Sequence, residues 1–111
     1  MGSERLRPIY YWNFSVSKPN LEKIQESIKI SLENLGLVEC GYLLKNKFKK
    51  EKLEVRLDLV DMKILYRVKI DLFAEKETND VISVKERIEK EIYDNIDKNL
   101  ILKKPISGYY L

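Results

Sequence analysis

Between Leu53 and Leu72 the chain alternates twice between apolar and charged residues. Leu53, Val55, Leu57 and Leu59 are separated by Glu54, Arg56 and Asp58; Ile64, Tyr66, Val68, Ile70 and Leu72 enclose Arg67, Lys69 and Asp71. Successive side chains of a strand point to opposite faces, so each run is a strand with one apolar and one charged face. Joined by a tight Met62-Lys63 turn, the two strands put both apolar sets on one side. That register sets Asp58 opposite Arg67 and Arg56 opposite the like-charged Lys69. The charged face stays in water and the apolar face needs a cover, which the rest of the chain has to supply.

Two amphipathic helices provide it. Leu21, Ile24, Ile28, Leu32 and Leu35 recur at helical spacing behind Ser17-Lys18-Pro19-Asn20, with Ser17 and Asn20 as candidate N-caps, Pro19 in the first turn and Gly36 as the C-cap. After the polar loop Glu75 to Asp80, a second helix starts at Asp80 or Ser83, where Ser83-Val84-Lys85-Glu86 fits a capping box. Its stripe is Val84, Ile88, Ile92 and Ile96, edged by Val81, Tyr93 and Leu100. Lys85 with Glu89, Glu86 with Lys90, Arg87 with Glu91 and Asp94 with Lys98 lie opposite at i,i+4 spacing. Two further strands precede the hairpin. From Ile9 to Val16, Tyr10, Trp12, Phe14 and Val16 share an inner face and Ile9, Tyr11, Asn13 and Ser15 an outer one, while Val38, Cys40, Tyr42 and Leu44 share a face of the next.

The order β-α-β-β-β-α predicts an α+β two-layer sandwich, an antiparallel sheet with both helices on one face. Pro105 is expected to end whatever continues past Leu102. The apolar tail Ile106-Ser107-Gly108-Tyr109-Tyr110-Leu111 is expected to pair as a C-terminal edge strand or to cover a partner. At 111 residues the chain reads as one domain, 1–111, with 1–8 and 103–111 as peripheral tails.

Composition narrows the chemistry. Without His there is no Ser-His-Asp triad, no Cys-His dyad and no imidazole metal ligand. The single Cys40 makes no intramolecular disulfide and fits a reducing compartment or an inert buried position. The longest charge-free stretch, Pro8 to Ser17, is ten residues, about half of what a membrane-spanning helix needs. A cytoplasmic protein without cofactor or metal, acting by binding and not by catalysis, is therefore expected. One Ala against sixteen Lys and twelve Ile is the balance of an AT-rich genome, and dense Lys, Glu and Ile also suit a thermophile, archaeal or viral.

Three binding or catalytic readings have residues to carry them. Lys45, Lys47, Lys49, Lys50 and Lys52 are five lysines within eight residues; as phosphate contacts they would give a nucleic-acid affinity with a salt slope of about −4.5. The alternative is a solvated hairpin tip that discourages edge pairing. Arg5, Arg7, Lys103 and Lys104 extend the cluster if the termini fold toward it. Of the aromatics Tyr10, Tyr11, Trp12 and Phe14, only Tyr11 is expected on the outer face, and one ring is not a stacking platform.

The element order is also similar to the core order of the PD-(D/E)xK nucleases. That resemblance implies a divalent metal held by an acid of the first helix, Glu22 or Glu26, by Asp58 on the following hairpin and by an acid-x-Lys on the next strand. The strand reads Arg67-Val68-Lys69 instead, and the acid-x-Lys Asp61-Met62-Lys63 falls in the turn, so the motif departs where catalysis needs it. The reading the residues favour is assembly. The charge-free first strand and the aromatic tail, through Tyr11, Ile106, Tyr109, Tyr110 and Leu111, predict a homodimer or an accessory subunit of a larger complex.

Overall fold

Residues 5–40, 46–96 and 98–110 are described by a computed structural model. Strand β1 (Arg7–Ser17) leads through a single 3₁₀ turn into helix α1 (Leu21–Asn34). Strands β2 (Val38–Glu39), β3 (Asn46–Lys50), β4 (Leu53–Asp61) and β5 (Leu65–Ala74) come next. Helix α2 (Asn79–Lys90) runs on into a π-helical segment, Glu91–Asn95, and strand β6 (Ile101–Tyr109) closes the order. The six strands form one antiparallel sheet in the order β2-β3-β4-β5-β1-β6. Both helices contribute to one apolar cluster with the inner face of the sheet, so the architecture is the expected α+β sandwich with the other face open.

The inner face obeys the alternation over most of its length: Trp12, Phe14 and Val16 of β1, Val55 and Leu57 of β4, and Val68, Ile70 and Leu72 of β5 are buried against Ile24, Ile28 and Leu32 of α1 and Val81, Val84 and Ile88 of α2, while Ile9, expected on the outer face, enters the core where a bulge between Pro8 and Tyr10 breaks the phase. Helix α1 ends as Gly36 foretells. Gly36 takes φ 90°, its N–H donates to the Glu33 carbonyl, and Leu37 N–H donates to the Leu32 carbonyl. This left-handed cap needs a residue without Cβ, and it delivers Leu37 into the core.

Several expectations are corrected. The β4–β5 register is shifted by two residues: Asp58 faces Lys69 and Arg56 faces Asp71, so both pairs join opposite charges. The turn residues are Lys63 and Ile64, not Met62 and Lys63. Met62 N–H donates to the Leu65 carbonyl, and Lys63, at φ 76°, is steadied by its N–H donating to Asp61 Oδ1. Opposite charges across the ladder favour this register, and the cost is one non-glycine residue in the left-handed region.

Helix α2 starts earlier than Asp80 or Ser83, because the Thr78 hydroxyl accepts from Val81 N–H and serves as the N-cap. The strand expected from Val38 shrinks to two residues. Leu37 is drawn into the core by the helix cap and the chain then leaves the core, so Val38, Glu39 and Cys40 are all exposed and Cys40 is not a buried thiol. Tyr42 and Leu44 lie outside the described residues.

The C-terminal segment does pair as an edge strand, but it begins at Ile101 and passes through Pro105 without ending there. An edge tolerates proline because one row of its backbone groups has no sheet partner. With β5 on one side and β6 on the other, β1 has no free edge, so the charge-free first strand is not a surface for strand-to-strand pairing.

Candidate functional site

The lysine cluster does not form one patch. Alternation along β3 turns Phe48 into the core between Lys47 and Lys49, which project onto the open face. Lys49 lies 3.8 Å from Glu54. Lys50 turns to the helix side, where its ammonium donates to the Leu35 carbonyl at 2.9 Å and so satisfies the C-terminal end of α1. Lys52 sits with Glu51 in the β3–β4 turn, and Lys45 lies outside the described residues. Arg7 stands at the same end of the sheet, through Ala74 and Leu53, but Lys103 and Lys104 are on the opposite edge, four strands away from β3.

The open face carries more aromatic surface than the sequence suggests. Tyr11 is joined there by Tyr110, with ring centroids 5.0 Å apart, and by Phe73, whose ring lies 4.0 Å beneath the Arg56 guanidinium carbon. The Tyr110 hydroxyl donates to Asp71 Oδ1 at 2.8 Å; burial first, and then this bond, raises its pKa above the ordinary phenol value. Asp71 is itself buried and has Lys69 at 3.8 Å. Glu54, also buried, is the partner of Arg56. The buried carboxylates of this face are thus each matched by a neighbouring cation.

Gly108 explains how Tyr11 lies so close to the sheet. A Cβ at position 108 would stand 2.3 Å from the Tyr11 ring carbons Cε1 and Cζ. The aromatic ring covers backbone that a side chain would otherwise shield, as aromatics do over edge glycines. Gly108→Ala is expected to cost about 1–3 kcal/mol by forcing the ring off its seat. Combined with Tyr11→Val the loss should be smaller than the sum, which a double-mutant cycle by chemical denaturation reads directly.

At the β6 edge Ile106 is 63 % exposed and Tyr109 53 % exposed. Tyr109 packs edge-on against Tyr10 at 5.1 Å. The Tyr10 hydroxyl donates to Glu77, which with burial pushes its pKa up to about 12, and Lys85 lies 5.2 Å over the ring. Leu111 lies outside the described residues.

The acids named by the nuclease resemblance do not converge. Glu22 and Glu26 are exposed on α1, on the helical side of the sheet, and Asp58 is on the open face opposite Lys69. Asp61 pairs with Lys18 at 3.0 Å, which together with the Lys63 N–H holds its carboxyl below the usual range. Among the described residues no three His, Cys, Asp or Glu side chains are grouped to hold a metal ion, and no helix is long and apolar enough to cross a membrane.

One buried site escapes the sequence reading. Glu91, expected in a solvated i,i+4 pair with Arg87, is only 5 % exposed and accepts hydrogen bonds from the Ser27 and Ser31 hydroxyls of α1 and from the Asn95 amide. A signal for it exists in the spacing: Glu91 comes three residues after Ile88 on the stripe side of α2, and Ser27 and Ser31 are four apart beside the stripe of α1. The network ties the two helices together; it does not present a reactive group. No family model matches the chain, and no curated protein matches it.

Proposed function

We propose that the protein acts by binding, not catalysis, and self-associates through the outer edge of β6 to form a homodimer with a continuous sheet. The observation that carries this reading is the edge itself. β6 is nine residues long and ends the sheet, and from Ile106 to Tyr109 it bears no charge while Ile106 and Tyr109 leave more than half of their surface exposed. Long uncharged edges are what monomers avoid. Lys103, Lys104 and Pro105 protect the first half of the strand, so pairing is confined to the second half. Two copies related by a two-fold axis would then meet antiparallel, each edge satisfying the other's free backbone groups.

Light scattering coupled to size exclusion tests this. The expected result is a mass twice the 13.2 kDa of the chain, insensitive to salt, because backbone and apolar contacts carry the pairing. Ile106→Lys with Ser107→Lys places like charges against each other across the two-fold axis and should return the protein to a monomer. A wild-type monomer at all accessible concentrations rejects the proposal.

A further inference from the structure

We propose that the open face carries, on its β6 side, a phosphate-binding trough that takes the backbone of single-stranded nucleic acid. β1 lies between β5 and β6, and at Ser15 the register sets Arg67 of β5 on one side and Lys103 of β6 on the other. Neighbouring strands are about 4.8 Å apart, so the two cations rise from backbones about 10 Å apart over a floor of short polar side chains. That floor is Asn13 and Ser15, and the depression, also lined by Lys104 and Ile106, holds about 330 Å³.

The second argument is the path of β6. In a regular strand Lys103 and Lys104 would point to opposite faces. Here both border the trough, and Lys104 also reaches the neighbouring depression beside Asp94 and Pro105. The ladder runs from Asn13↔Ile106 to Ser15↔Lys103, two residues of β1 against three of β6, and shifts again between Ser15 and Val16. Such bulges re-aim a strand, and here they bring Lys104 to the border of the trough next to Lys103.

Charge is the third argument. Elsewhere on this face Lys49 and Arg56 lie against Glu54 and Lys69 against Asp71, while Lys47 stands opposite Arg56 with no ion pair among the described residues. Among the described residues Arg67, Lys103 and Lys104 have no carboxylate within ion-pair distance, and no acid lines the trough. A cleft walled by one sign of charge concentrates the opposite sign. Arg67 offers a planar fork for phosphate oxygens, the lysines offer point charges, and the Asn13 amide and Ser15 hydroxyl offer short-range donors. Along β1, Tyr11 is four residues from Ser15, about 13 Å away at strand rise. Its ring and that of Tyr110 provide the stacking surface that an unpaired base uses and a base inside a duplex does not. The trough belongs to one chain and does not depend on self-association.

Fluorescence anisotropy with labelled oligouridylate and oligothymidylate tests it, alongside a duplex of equal length and inorganic phosphate. Three phosphate contacts give a salt slope of about −2, an affinity loss of roughly 18-fold between about 50 and about 200 mM salt. The variant Arg67→Gln/Lys103→Glu/Lys104→Glu, changed only at exposed positions, should bind at least about tenfold more weakly with an unchanged thermal melt, whereas Lys47→Glu/Lys49→Glu should stay within roughly twofold of wild type. The proposal is overturned by a wild type that does not bind the single strands at low salt, by a trough variant that keeps its affinity, or by a hairpin variant that loses as much. It is equally overturned if the duplex binds as tightly as the single strands, or if inorganic phosphate matches the oligonucleotide.

Discussion

Trp12→Ala is expected to remove about 3–5 kcal/mol of stability, a large share of what a domain of this size possesses. Trp12 is fully buried at the centre of β1, flanked by Ile70 of β5 and Ser107 of β6, so its loss opens a cavity where two strand pairings meet. Trp12→Phe should cost much less than alanine. The Trp12 indole N–H is buried with no hydrogen-bond partner among the described residues, and phenylalanine removes that unsatisfied donor while retaining most of the ring. Urea denaturation of the two variants distinguishes them; equal losses would show that the ring's volume is not what β1 relies on.

Glu91→Ala is the second large effect, at about 3 kcal/mol, because it strands the buried Ser31 hydroxyl and the half-buried Ser27 hydroxyl, and removes a charge that favours Arg87. Replacing the network whole, Glu91→Leu with Ser27→Ala and Ser31→Ala, should recover most of the loss, since apolar side chains of similar shape leave nothing unpaired. The pH dependence has a definite sign. Burial alone would raise the Glu91 pKa, but the two hydroxyls, the Asn95 amide and the Arg87 charge outweigh it and hold the carboxyl below its ordinary 4.5. A depressed folded pKa contributes stability above the unfolded value and loses it as pH falls through the folded one. The advantage of wild type over Glu91→Gln should therefore be full near neutrality and shrink below about pH 4.5. A gap that stays constant down to acid pH would show that ionised Glu91 is not what the serines recognise.

These two positions mark how far local pattern reaches. Trp12 is readable as core because its neighbours Tyr10, Phe14 and Val16 share its phase, and alternation needs no knowledge of distant residues. For Glu91 the spacing gives only its place on the stripe side, and that the carboxylate is held between two helices is recognisable only once Ser27 and Ser31 are known to face it. The same division separates Phe48 from the lysines around it: read as a charge run, Lys45 to Lys52 is a patch, yet a strand of period two sends Phe48 and Lys50 inward and Lys47 and Lys49 outward.

By itself the sequence determined the two helices, the strands β1, β4 and β5 with their apolar faces, and the α+β class, since helical and strand periodicities are local properties of the chain. It also carried the Gly36 cap, whose positive φ only glycine adopts without strain. Tertiary structure alone decided which strands are neighbours, and with that which edge is free and which residues share the open face. Placing β1 between β5 and β6 moved the free edge from the first strand to the last, and set Arg67 and Lys103 on either side of Ser15 although they are 36 residues apart in sequence. The β6 bulges then brought Lys104 to the border of the same depression. Strand order and register depend on long-range pairing of backbone and charge, and no window along the chain contains both partners.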